Sequence, residues 1–228
     1  MEKMINMMMK RYQMFVWLGL MLVVIAFVLS ILAANSNATF FSADKATREA
    51  AGPGTALVAA NLIRHSISTW VPAFKFLGLG IMLGAIIMAL GSIIQTLRDL
   101  GTDVMSTWPR ELNPGIPEKP RAAKVFPMIM MMGWLILIAG LIWALSVNSV
   151  VTSYWNHAIA NELNAAQPGS ALLAQLGLIE ANLPWLGFFR LLGMSFLFTG
   201  ITVALTVVIR TLQTQEKTLL KFLEVRSS

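Results

Sequence analysis

Four apolar runs, Gln13–Ala34, Pro72–Leu97, Phe126–Asn148 and Trp185–Ile209, are each long enough to cross a lipid bilayer. A hydrocarbon layer about 30 Å thick takes roughly 20 helical residues. Only helices and closed barrels satisfy the backbone inside lipid, and these runs lack the alternation of apolar and polar residues that barrel strands need. Charged residues make up 12% of the 228-residue chain, about half the share of a soluble domain. The sequence therefore predicts an all-α membrane protein with four transmembrane helices. The first run precedes Ser36-Asn37-Ala38, a small-residue triplet of the kind a signal peptidase cuts. At about 20 residues it is long for a signal core, and we read it as a span.

Orientation follows from the basic residues. Lys3, Lys10 and Arg11 precede the first span. Arg98, Arg110, Lys119, Arg121 and Lys124 lie between the second and third, and Arg210, Lys217, Lys221 and Arg226 follow the fourth. The other two loops and their borders hold only Lys45, Arg48, Arg64, Lys75 and Arg190. This asymmetry places both termini and the middle loop in the cytoplasm of a cell whose plasma or inner membrane holds the chain, in keeping with a bacterial setting. The net charge of +6 then reflects topology and contact with anionic lipid. No basic face interleaved with aromatics points to nucleic acid. The absence of cysteine removes disulfides, thiolate metal sites and cysteine nucleophiles.

The chain repeats itself. Gly52–Gly78 reads GPGTALVAANLIRHSISTWVPAFKFLG, and Gln167–Gly193 reads QPGSALLAQLGLIEANLPWLGFFRLLG. A shift of 115 residues superposes Pro53 on Pro168, Gly54 on Gly169, Trp70 on Trp185, Phe74 on Phe189, Gly78 on Gly193, Thr96 on Thr211 and Leu97 on Leu212, and Lys75 falls on Arg190. The first spans match after one further residue of shift, with Val28–Ser30 beside Ala144–Ser146. The expected organisation is a cytoplasmic N-terminus over 1–12 and a first two-span repeat over 13–99 with its outer loop at 35–71. A Pro-rich cytoplasmic linker follows over 100–125, then a second repeat over 126–212 with its outer loop at 149–184, and an amphipathic tail over 213–228. Both copies start and end on one side, so they are parallel and imply a pseudo-twofold axis along the membrane normal.

Within each copy the Pro-Gly pair breaks the chain, and Thr55 or Ser170 is placed to cap a short amphipathic outer helix. Trp70 and Trp185 suit the headgroup layer, and Lys75 and Arg190 can snorkel from the outer span ends. Gly80, Gly84 and Gly91 share one face of the second span. Their counterparts Ser195, Thr199 and Thr206, with Thr202 on the same stripe, are likewise small enough for close helix approach in lipid. These faces serve packing inside the chain, packing on another subunit, or lining of a solute path. Arg64, His65 and Glu180 offer a charge pair between the outer loops, since His65 and Glu180 are repeat-equivalent.

Signals for chemistry are sparse. Apart from span ends, no ionisable residue lies within the four runs, which argues against a proton relay or coupled ion pathway. His65 and His157 both fall in loops, so a bis-histidine haem inside the spans is excluded, and metal sites pairing them with Glu180 or Glu162 are weaker readings than the charge pair. The methionine runs Met4–Met9 and Met128–Met132 invite copper, yet successive helical residues diverge and methionine is an adaptable filler. No phosphate loop, zinc-protease motif or triad is present, and no cofactor is implied. The expectation is a non-catalytic accessory or scaffold subunit of a larger membrane complex, with other integral membrane subunits and lipids as partners. The alternative is a small channel or carrier acting as a homo-oligomer, with the hydroxyl stripe lining its path.

Overall fold

A computed structural model describes residues 11–106, 122–157 and 169–227. All regular structure there is helical: α1 (Tyr12–Ser42), α2 (Lys45–Glu49), α3 (Ala56–Ser106), α4 (Ala122–Trp155) and α5 (Ala171–Ser227). Four of these are long and apolar enough to cross a membrane. The first methionine run and most of the Pro-rich linker lie outside the described residues.

The helices outlast the apolar runs that nucleate them. At 1.5 Å per residue, the 51 residues of α3 extend roughly 75 Å, more than twice the hydrocarbon thickness. The expected separate outer helices are instead the first turns of α3 and α5. Each starts after a glycine with φ of +83°, Gly54 or Gly169. A hydroxyl then caps it: Val58 N–H donates to Thr55 Oγ1 at 3.4 Å, and Leu173 N–H donates to Ser170 Oγ at 3.2 Å. The helix next runs through Pro72 or Pro184 without a break. Proline inside a helix forfeits one backbone bond, a loss tolerated where neighbouring helices support the segment. At the other end α5 continues from the fourth span to Ser227, so the tail belongs to the same helix.

Packing is organised around α3, which lies against α1, α4 and α5, while α4 and α5 also pack together. The principal core joins Ile87, Met88 and Ile94 of α3 to Phe126, Met130 and Leu137 of α4 and to Leu197, Ala204 and Val207 of α5. By contrast α1 buries only Gly19, Ala26, Ser36 and Phe40, and its extensive contact is with α3. A twofold axis would pair α1 with α5 as closely as α3 with α4. Only the α3–α4 contact is extensive, so the expected symmetry is not closed within this chain.

The two helix pairs nevertheless meet through similar contacts. A Cβ on Gly19 would sit 2.6 Å from Gly78 O and 2.6 Å from Met82 Cγ. A Cβ on Gly133 would sit 3.0 Å from Gly193 O and 2.9 Å from Leu197 Cγ. In these contacts Gly19 plays the part that Gly133 plays, 114 residues further on. This differs by two residues from the register that sets Val28–Ser30 beside Ala144–Ser146.

Candidate functional site

Gly80 and Gly84 form the floor of the α3–α4 seam. A Cβ on Gly84 would lie 2.3 Å from Trp134 Cζ2, and one on Gly80 would lie 2.3 Å from Leu137 Cδ1 and 3.1 Å from Leu197 Cδ1. The Trp134 indole N–H donates to Gly80 O at 2.9 Å, and its ring stacks on Phe15 of α1 with centroids 5.8 Å apart. One tryptophan of α4 therefore touches two other helices, and glycine is required at 84 because the ring occupies the space a side chain would fill. Gly91, on the same face, is also buried.

The equivalent face of α5 is turned the other way. Ser195, Thr199, Thr202 and Thr206 are all exposed. Each hydroxyl donates to the carbonyl one turn back, on Leu191, Ser195, Phe198 and Thr202, at 2.8 to 3.0 Å. Of the three roles expected for such faces, packing inside the chain is not the one this stripe takes among the described residues. A second small-residue stripe, Gly193, Gly200 and Ala204 with Leu197, takes that place, and one helix cannot present both faces to α4. Spacing identified the hydroxyl stripe but carried no information about which way it would face, and the Gly193–Ala204 stripe went unremarked.

The four expected interface anchors separate. Trp70 is half-buried and packs with Ala26, Val71 and Phe74 on one side and with Ala73, Ala144 and Leu186 on the other, so it is a wedge between α1 and α4. Trp185 is 58% exposed, and Lys75 is exposed. Arg190 turns back on its own helix, its Nε donating to Leu186 O at 2.8 Å, and its guanidinium lies 5.9 Å from the Phe76 ring centre.

No ion pair joins His65 to Glu180. The His65 ring stacks on Trp155, centroids 3.7 Å apart and 4° from parallel, and its Nε2 is buried without a hydrogen-bond partner. Glu180 is exposed on α5. Sequence equivalence placed these residues together, but His65 faces α4 rather than α5. Arg64 is oriented within the α1–α3 pair: its Nε donates to Asn61 Oδ1 at 2.8 Å and its Nη1 to Asn37 Oδ1 at 3.1 Å. It lies 4.4 Å from the Phe40 ring centre and 4.9 Å from that of Phe41. Sequence reasoning missed Arg48, which joins Arg64 over those rings from α2. The cue available was the concentration of outer basic residues in the first half.

Among the described residues no three His, Asp or Glu side chains gather as a metal could require; Glu162, one half of a weaker metal reading, lies outside them. Comparisons with protein-family models, curated proteins and solved structures find no match for this chain.

Proposed function

We propose that the chain is a non-catalytic accessory or scaffold subunit of a larger integral membrane complex, and that the outward face of α5 meets a neighbouring subunit. The observation that carries this reading is the direction of the Ser195–Thr206 stripe. Its hydroxyls are already bonded to their own helix, so the face offers short side chains and close backbone approach without a desolvation penalty. That combination favours helix association in lipid. Each hydroxyl spends its one proton on its own helix, and its oxygen keeps its acceptor lone pairs. α1 packs chiefly on α3, and its exposed Trp17 and Phe27 add a second surface for lipid or protein.

We also read α1–α3 and α4–α5 as two copies of one two-span unit. The twin glycines at φ +83°, the paired hydroxyl caps and the Gly19–Gly78 and Gly133–Gly193 contacts support this. In this reading the second unit receives α3 between its helices, and its own α5 keeps the equivalent face free. Both termini lie in the cytoplasm by the distribution of basic residues.

The test is the mass and composition of the particle after mild detergent extraction from native membrane. Foreign integral subunits in fixed stoichiometry are expected. A particle containing this chain alone would overturn the reading.

A further inference from the structure

At the end of the α1–α3 pair opposite the N-terminus, two guanidinium groups converge on one aromatic pair. Arg48 lies 5.4 and 5.2 Å from the ring centres of Phe40 and Phe41, and Arg64 lies 4.4 and 4.9 Å from them. Over the shared Phe40 ring, the two guanidinium carbons can be no farther apart than 5.4 and 4.4 Å together allow. Each ring face attracts the cation over it, so the pair Phe40–Phe41 holds both guanidinium groups at one place. The acidic residues beside Arg48 are engaged elsewhere: Asp44 accepts from the Thr47 amide and hydroxyl at 2.9 and 2.7 Å, and Glu49 pairs with Lys45 at 3.6 Å. Arg64 is held in place by the amides of Asn37 and Asn61. Arg48 Nε is buried and has no hydrogen-bond partner.

The second half of the chain shows that cations are not needed to close this end. Val151, Tyr154 and Ile179 pack together in α4–α5, at the places that Asn37, Phe40 and Arg64 hold in α1–α3. This comparison rests on reading the halves as related units; the convergence of the two arginines does not.

We propose that Arg48 and Arg64, above the Phe40–Phe41 pair, bind a phosphate-type oxyanion. It comes from the headgroup of an acidic phospholipid or from a phosphorylated solute at that face. Planar guanidinium groups match the oxygens of phosphate in paired hydrogen bonds, and such an oxygen would satisfy the buried Arg48 Nε. The aromatic pair lets the acyl region of a lipid lie beside the site.

The test uses the purified full chain in a zwitterionic detergent, with dioleoyl phosphatidylglycerol, dioleoyl phosphatidylcholine and inorganic phosphate as probes. Native mass spectrometry reads lipid retention and calorimetry reads phosphate binding. Phosphatidylglycerol should bind at least about tenfold more tightly than phosphatidylcholine, and Arg48→Gln should remove about that factor, as for a lost charge-assisted hydrogen bond. Arg48→Lys should fall between, and Lys75→Gln should change nothing. Arg48 sits on a five-residue helix, so its replacement leaves the spans intact. Phosphate binding with the same dependence on Arg48 would support the site and identify a soluble source; dependence seen with the lipid alone would identify the membrane. Equal retention of both lipids without phosphate binding would overturn the proposal, as would anion binding that survives Arg48→Gln.

Discussion

At the scale of single residues, glycine does two separable jobs. Gly54 and Gly169 supply a backbone conformation: both have φ of +83°, and nothing lies within 4 Å of an added Cβ. Either one changed to alanine should cost about 1 kcal/mol through the left-handed backbone alone, read as a lowered unfolding midpoint in detergent. Gly84 supplies space. Gly84→Ala should cost about 1–3 kcal/mol by displacing the Trp134 ring, and Trp134→Phe should partly relieve that loss, a coupling that a double-mutant cycle would measure. Asp44 sets the pH behaviour of α2. The hydrogen bonds from the Thr47 hydroxyl and then its amide hold its carboxyl below the usual value of 3.8. A lowered carboxylate stabilises its helix above the unfolded-state value, and that contribution is lost as pH falls through the lowered one. Arg48 therefore stays placed at neutral and mildly acidic pH, and retention of phosphatidylglycerol should be flat from about pH 8 to 5. A fall by pH 6 would contradict the cap's role.

At the scale of elements, the spans were legible because an apolar run of bilayer length has few other fates. Helix ends were less legible. The outer turns of α3 and α5 have amphipathic spacing, and Pro72 and Pro184 resemble boundaries, yet neighbouring helices support the backbone through both. The paired caps at Thr55 and Ser170 were readable, being local. The direction of a stripe was not, because α5 carries two faces of small residues and the one that packs is chosen by Leu137 and Leu197 on facing surfaces. Arg48 escaped notice for the same reason: its relation to Arg64 is made in space by α2, a helix of five residues. The outward direction of the hydroxyl stripe gives a prediction at this scale. Thr199→Val with Thr202→Val should leave the unfolding midpoint of the isolated chain within about 0.5 kcal/mol of its original stability, as for surface positions. The same pair should reduce recovery of companion subunits in a pull-down.

At the scale of the whole molecule, α3 is the hub, α4 and α5 complete its core, and α1 packs along α3. On the proposed reading of the halves as related units, duplication followed by divergence would give one chain both a closed seam and an open one. Gly80 and Gly84 take Leu137 and Trp134, while Ser195 and Thr199 are exposed among the described residues. The central claim is that this open face meets another protein. The most direct test places a photo-reactive residue at Thr199, and for comparison at Ile86 on an exposed face of α3, in cells that make the chain natively. Irradiation of intact membranes should give a discrete adduct with a different membrane protein from position 199 and none from position 86. Lipid adducts alone at both positions would contradict the account.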